Sequence, residues 1–140
     1  MKRANNKKKP PTKKKPRQSK DPESFMSCHP AWQFRSLDIN CSEIDSNTIF
    51  DEILPKIQNY ESMFWKEILD SSRDHFIKVE RIIQRAKDRL VELQQEDIDS
   101  LVSLHIDGTK RIWGIIDGNI MKILWWDPNH EICPSNKKHT

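Results

Sequence analysis

The sequence predicts an α+β fold, and three observations carry this prediction. Apolar side chains recur every three or four residues over residues 79–93, the spacing of an amphipathic helix. Residues 102–126 alternate between apolar and polar or are apolar throughout, with breaks at Gly108-Thr109 and Gly118-Asn119, which predicts three consecutive antiparallel strands. One earlier strand and the helices precede them. The predicted order is β-α-α-β-β-β, an antiparallel meander plus an N-terminal strand, with the helices on one face.

The N-terminal segment predicts a disordered basic tail. Ten of the 24 basic residues lie within residues 1–20, which contain no acidic residue, and the rest of the chain has 14 basic and 21 acidic residues. Residues 1–24 contain too few apolar side chains to offset the entropy of ordering them. We therefore predict a tail at 1–24 and a single α+β domain at 25–140. The tail is typical of polyanion-binding arms, but a solubilising role and a nuclear import signal remain open.

The first predicted elements are one strand and two short helices. Residues 32–39 alternate imperfectly after a His-Pro break, which indicates the first strand. Residues 49–57 have helical spacing, with Thr48 as the predicted cap and Pro55 as the point where the helix should kink or split. A further short helix is predicted at residues 63–69.

The helix at residues 79–93 carries a basic row on its polar face. Arg81, Arg85 and Arg89 are spaced four residues apart and could follow the phosphates of a nucleic acid. Polar faces of amphipathic helices more often simply face solvent. Both interpretations stay open.

The final strand, residues 120–126, is apolar on both faces except at Lys122, so we expect it in the centre of the sheet. Trp113, Trp125 and Trp126 offer planes on which unpaired bases could stack. Tryptophan in an apolar strand is more often part of the core. The sequence does not decide between the two.

The sequence gives little support for a membrane segment or for a cofactor site. No stretch approaches the roughly 18 consecutive apolar residues of a membrane helix, and the N-terminus lacks the apolar core of a signal peptide, so we expect a cytoplasmic protein with no membrane partner. Motifs for nucleotide, serine hydrolase and metalloprotease chemistry are absent, so no cofactor is predicted. A zinc site would need Cys28-His29 to meet His130 and Cys133, with the first strand beside the last. Unpaired thiols are the simpler interpretation.

The C-terminal stretch, residues 111–140, resembles a widespread family of small, largely uncharacterised bacterial proteins. The shared features are a strand that ends in Trp-Trp-Asp-Pro, a following His, and a Lys-Lys-His-Thr ending. The similarity extends back to the segment Cys28-His29-Pro30-Ala31-Trp32. This resemblance covers the body of the chain and does not by itself imply a function.

The predicted order of elements resembles the RelE and YoeB group of toxin ribonucleases, which cut messenger RNA in the ribosome and are neutralised by an antitoxin. The resemblance implies an endoribonuclease of a toxin-antitoxin pair, with RNA or the ribosome and a cognate antitoxin as partners. The chain departs from the group in having no terminal Tyr and an acidic body. A non-catalytic module that binds nucleic acid or a partner protein, with the basic tail supplying affinity, is the alternative.

In that group the cleavage residues lie on the meander strands and near the C-terminal end. Arg111 matches by strand position and His130 by its place just after the last strand. Cleavage at the 2′-hydroxyl needs a base, an acid and a cation, roles open to histidine and arginine. The resemblance implies the catalytic candidates Arg111, His130, Lys137, Lys138 and His139. The candidates for RNA contact are Lys110, Trp113, Trp126, Arg81, Arg85 and Arg89.

Overall fold

A computed structural model describes residues 25–40 and 44–134, so the predicted tail at 1–24 lies outside the described residues. The α+β class is confirmed, with a five-stranded mixed sheet and short helices. Within the described ranges, no helix combines the length and the apolar character needed to cross a membrane. The elements are β1 (Ala31–Gln33), a π-helical turn (Thr48–Ile53), α1 (Leu54–Glu61), α2 (Trp65–Asp70), β2 (His75–Lys78), a 3₁₀ turn (Val79–Arg81), α3 (Gln84–Glu92), β3 (Ser100–Asp107), β4 (Lys110–Asp117) and β5 (Ile120–Asp127).

The strand order in the sheet is β1-β5-β4-β3-β2. The predicted antiparallel meander of β3, β4 and β5 is confirmed, and β1 pairs with β5 in parallel. Gly108 and Gly118 have φ angles of +54° and +65° and each begins a two-residue turn. A glycine at the first central position is typical of type II′ hairpins, whose twist matches that of the flanking strands. The glycine breaks therefore fix the connections of the meander.

Two strand predictions need correction. The first strand covers Ala31–Gln33 rather than 32–39, because the chain turns after it and the Asp38 N–H donates to the Leu124 carbonyl at 2.8 Å. β2 was not predicted at all. It has four residues, of which only Ile77 is buried, and this edge strand is too short to show an alternating pattern. The order is therefore β-α-α-β-α-β-β-β.

The first predicted helix is split, as Pro55 indicated. A π-helical turn leads into α1, and Pro55 lies in the first turn of α1, a position at which proline is tolerated. The predicted cap is wrong, because the Oδ1 of Asp45 accepts bonds from the N–H and Oγ1 of Thr48 at 2.8 and 2.9 Å. Thr48 is the capped residue.

The long helix predicted at 79–93 is shorter. A 3₁₀ turn precedes it, and α3 begins at Gln84. Its end is closed by the bonds Gln95 N–H to Leu90 O at 2.8 Å and Gln94 N–H to Val91 O at 2.9 Å, a Schellman motif. Gln94 takes the left-handed conformation, with φ of 61°, where glycine is usual.

The helices cover both faces of the sheet, which corrects the prediction that they lie on one. We call the two sides the α1 face and the α3 face. Because both are buried, β4 and β5 are apolar on both sides. The α1 face joins α1 and α2 to one cluster, which includes Ile57, Trp65, Ile68, Leu104, Met121 and Ile123. The α3 face joins α3 to the other, which includes Ala86, Leu90, Leu101, Trp113, Leu124 and Trp125.

A β-bulge in β5 interrupts the alternation of its side chains between the two faces. Trp113 pairs with Trp125 but Gly114 pairs with Ile123, which leaves Leu124 as the extra residue. A Cβ atom at Gly114 would lie 2.5 Å from the carbonyl oxygen of Lys122, so no larger residue fits there without movement of the strand. The bulge places Leu124 and Trp125 in the same cluster.

Leu124 should be essential to the core on the α3 face. Its side chain is 1% exposed, and we expect Leu124→Ala to lower the free energy of unfolding by about 2–5 kcal/mol, since the cavity is bounded by packed neighbours. Urea denaturation measures the change. Val91→Ala, at an exposed position of α3, is the matched control and should change it by less than about 0.5 kcal/mol. A Leu124→Ala loss no larger than that of the control would contradict the two-core architecture.

Candidate functional site

Polar side chains form a row across one end of the three central strands. Arg111 on β4 lies directly opposite His105 on β3 and Asp127 on β5. Directly opposite residues project to the same side of a sheet. Trp113, two residues beyond Arg111, packs on the α3 face. The row of His105, Arg111 and Asp127 therefore projects on the α3 face.

The buried carboxylate of Asp74, just before β2, is hydrogen-bonded to this row. The Oδ1 of Asp74 accepts the His105 N–H at 2.7 Å and lies 2.9 Å from the Tyr60 hydroxyl, which is also 2.7 Å from the His105 carbonyl oxygen. Burial and then the negative charge of Asp74 raise the pKa of Tyr60 well above its usual value. Tyr60 is thus a permanent donor that fixes β3 beside Asp74 and brings His75 to the same end of the sheet.

Asp127 holds the turn after β5. Its buried carboxylate accepts the Trp113 Nε1–H at 3.1 Å and the backbone N–H groups of Glu131 and Ile132 at 2.9 and 3.1 Å. Within this turn His130 has a φ of 57°, in the left-handed region. Few non-glycine residues adopt this conformation, and surrounding bonds must impose it. Asp127 therefore holds the backbone of the turn that carries His130.

Arg111 is a half-buried cation. Its Nη1 donates to the carbonyl oxygens of Gly108 and Lys110 at 3.0 and 3.2 Å. Among the described residues, its Nε and Nη2 make no hydrogen bond and no ion pair. Burial lowers the pKa of Arg111, and the charges of Asp74 and Asp127 oppose that change. Arginine remains protonated in proteins, so this end of the sheet presents a positive group able to bind an oxyanion.

The charge of Arg111 acts on two histidines. Burial and then the Arg111 charge lower the pKa of His130, which Asp127 opposes and His75 reinforces. Burial and then Arg111 also lower the pKa of His105. Both imidazoles are therefore neutral near pH 7, with one ring nitrogen able to accept a proton. We call His75, His105, Arg111 and His130 the His-Arg cluster.

The structure brings together two of the predicted catalytic residues, Arg111 and His130. Lys137, Lys138 and His139 lie outside the described residues. Lys110, predicted to bind RNA, belongs to the opposite side, where its ammonium pairs with the carboxylate of Glu52 near α1. Arg81 and Arg85 are exposed but do not share one helix, since Arg81 ends the 3₁₀ turn.

Three of the side chains predicted to contact RNA are not exposed. Trp113 and Trp126 are 1% and 6% exposed and belong to the two cores, so neither presents a ring face to a base. Arg89 is not part of a solvated row, because its Nε and Nη2 donate to the two carboxylate oxygens of buried Asp38 at 2.8 and 2.9 Å. The Trp125 Nε1–H donates to the same carboxylate at 3.0 Å.

The zinc alternative fails on strand direction. β1 does lie beside β5, but it is parallel to it, so Cys28-His29 lies near the start of β5 and the other pair follows its end. An eight-residue strand separates the two pairs by roughly 25 Å. Residues 25–40 and 44–134 contain no group of three or more side chains suited to a metal ion. The ring of His29 instead stacks on Phe64, with centroids 4.4 Å apart.

The sequence prediction missed His75, His105, Asp74 and Tyr60. His105 carried a signal, since it alternates within a predicted strand beside the one that holds Arg111. The other three lie at element ends whose positions follow from tertiary packing. Comparison of the chain with protein-family models, curated proteins and solved structures found no match in any of the three.

Proposed function

We propose that this protein is an endoribonuclease that cuts messenger RNA at the 2′-hydroxyl, as a toxin of the RelE and YoeB kind, with Arg111 and His130 as its catalytic pair. The observation that carries the proposal is the His-Arg cluster: a cation with unused donors lies opposite His105 in the sheet and close enough to His130 to lower the pKa of its imidazole. Its RNA would be bound on the ribosome, and a cognate antitoxin would cover the site.

The cluster can supply each part of the reaction. The Arg111 guanidinium binds the non-bridging oxygens of the phosphate and stabilises the charge of the phosphorane. Neutral His130 removes the proton of the 2′-hydroxyl, and the 2′-oxygen attacks phosphorus as the bond to the 5′-oxygen breaks. A protonated His105, directly opposite Arg111, gives its proton to that leaving oxygen. The products are a 2′,3′-cyclic phosphate and a 5′-hydroxyl.

Substrate binding favours the protonated form of His105 that the reaction needs. In the unliganded protein the Arg111 charge lowers the pKa of His105. A bound phosphate neutralises that charge and adds a negative one, which favours the imidazolium. The two histidines differ in their fixed neighbours, Asp74 for His105 and Asp127 for His130. This difference suits an acid and a base acting on one phosphate.

The test is cleavage of messenger RNA on translating ribosomes by the wild type and by His130→Ala. We expect the substitution to lower the rate by about 10²-fold or more, the usual contribution of a general base. The wild-type rate should rise with pH as His130 loses its proton, with a midpoint below ~6.5 because the pKa of His130 lies below its ordinary value, and it should fall again at higher pH as His105 loses its own proton. In His130→Ala this rise should disappear.

His29→Ala is the matched control, since His29 lies beyond the opposite end of β5. Its cleavage rate should stay within about twofold of the wild type. A wild-type protein that cuts no RNA on ribosomes and does not arrest growth when expressed would contradict the proposal. That outcome would favour the non-catalytic binding module.

A further inference from the structure

A groove lies between α3 and the turn that carries His130. Both α3 and this turn contribute residues to its apolar floor and to its polar rim. The lining includes Ile83, Ala86 and Ile132 on the floor and Arg85, Asn129 and Glu131 on the rim. The groove is separate from the His-Arg cluster but adjoins it, because Asn129 and Glu131 are the chain neighbours of His130.

Both walls of the groove are held by bonds within the protein. The Ile83 N–H donates to the Ile132 carbonyl at 2.8 Å and joins the walls at one end. Asp127 fixes the N–H groups of Glu131 and Ile132 in the turn. Beneath α3, Arg89 is clamped by buried Asp38. The groove is therefore formed before any ligand arrives, which lowers the entropic cost of binding.

The rim carries one positive and one negative group. Arg85 Nη2 lies 4.0 Å from Glu131 Oε1, at the outer limit of an ion pair, and the two side chains are 77% and 60% exposed. An exposed pair of this kind contributes little to stability. Both head groups can therefore turn toward a ligand at little cost.

Guanine is the base whose edges complement this rim. Its N1–H and N2 amino group are adjacent donors for a carboxylate, and its O6 and N7 are acceptors for a guanidinium. Adenine presents an acceptor at N1, so the carboxylate of Glu131 would face a lone pair. A flat purine can also pack against the apolar floor of Ile83 and Ala86, as unpaired bases in RNA complexes do on apolar and planar groups.

We infer that the groove binds the guanine base of a nucleotide next to the phosphate that Arg111 and His130 cleave. This inference rests on the proposed ribonuclease function. Glu131 reads the donor edge of the base, and Arg85 reads the acceptor edge. The enzyme is thus selective for messenger RNA sites that contain an unpaired guanine beside the cut.

The first experiment maps the ends of the products from an RNA of mixed sequence. The wild type should cut next to guanine about tenfold or more above adenine, the discrimination that a bidentate base contact supplies. Glu131→Gln should reduce this preference to within about twofold. Glu61→Gln, an exposed position on α1, is the control and should keep the preference.

The second experiment measures binding without cleavage. Backbone amide shifts of the protein are followed during titration with guanosine 3′-monophosphate or adenosine 3′-monophosphate. The guanosine nucleotide should shift Ala86 and Glu131 at about tenfold lower concentration, and Glu131→Gln should abolish the difference. Equal binding of the two nucleotides, or cleavage without guanine preference, would overturn the guanine site. Selective guanosine binding by a protein that cuts no RNA would instead overturn the ribonuclease and leave the groove assigned.

Discussion

Asp38→Ala is expected to lower the free energy of unfolding by about 3–5 kcal/mol, because it leaves the buried Trp125 indole N–H and two partly buried N–H groups of Arg89 without their acceptor. Asp38 is 4% exposed, and its carboxylate accepts both arms of the Arg89 fork and the Trp125 indole N–H. Arg89 would keep its ion pair with exposed Glu92 at 2.7 Å but would lose the buried acceptor of its Nε and Nη2 groups. Urea denaturation of the purified variant measures the loss.

Two further variants separate the charge from the packing. Asp38→Ala combined with Arg89→Met removes both charges, and we expect it to recover a large part of the loss, since paired burial of ions is often close to neutral overall. Asp88→Ala, at an exposed position of the same helix, should change the free energy of unfolding by less than about 0.5 kcal/mol. A loss for Asp38→Ala as small as that of Asp88→Ala would show that the Arg89 fork does not stabilise the fold.

Local sequence signals predicted the part of the fold that depends on them. The two glycines with positive φ mark the hairpins of the meander, and the helical spacing over residues 79–93 contains α3. β2 could not be found, because one buried residue in four gives no periodicity. The Asp38–Arg89 pair joins residues 51 positions apart, so no local pattern contains it. Neither the glycine breaks nor the helical spacing predicted that helices cover both faces of the sheet.

The candidate site was predictable only in part. Arg111 and His130 followed from their places along the meander. The residue opposite Arg111 could not be predicted, because a regular hairpin through Gly108 and Thr109 would set Ile106 opposite Arg111. A register shift between His105 and Asp107 sets His105 there instead. Bulges of this kind depend on packing against neighbouring layers and redirect side chains near functional sites.

Arg111→Ala is expected to lower the rate of RNA cleavage by about 10²- to 10³-fold, the usual effect of removing one donor that stabilises a transition-state charge. Arg111→Lys keeps the charge but not the planar fork, so it should recover only part of the rate. In Arg111→Ala the pKa of His130 and of His105 should rise, because the neighbouring positive charge that lowers both is gone. Titration of the imidazole resonances by NMR checks that shift.

Lys110→Ala is the matched control for Arg111→Ala. It removes one positive charge at the residue that precedes Arg111, and the Lys110 ammonium pairs with Glu52 on the α1 face. Its cleavage rate should stay within about threefold of the wild type, the scale of a weak long-range charge effect in salt solution. Equal losses in the two variants would indicate a general attraction for RNA rather than a positioned catalytic cation.

The most direct measurement compares one RNA with a matched RNA that lacks the 2′-hydroxyl at the cleaved nucleotide. The wild type should cut the RNA that has the 2′-hydroxyl, with 2′,3′-cyclic phosphate and 5′-hydroxyl ends, and should leave the other RNA intact. Arg111→Ala and His130→Ala should cut neither RNA at a rate comparable to that of the wild type on the first. Cleavage of both RNAs by the wild type, ends that carry a 3′-hydroxyl and a 5′-phosphate, or no cleavage of either RNA would contradict the assignment of the His-Arg cluster as a ribonuclease site.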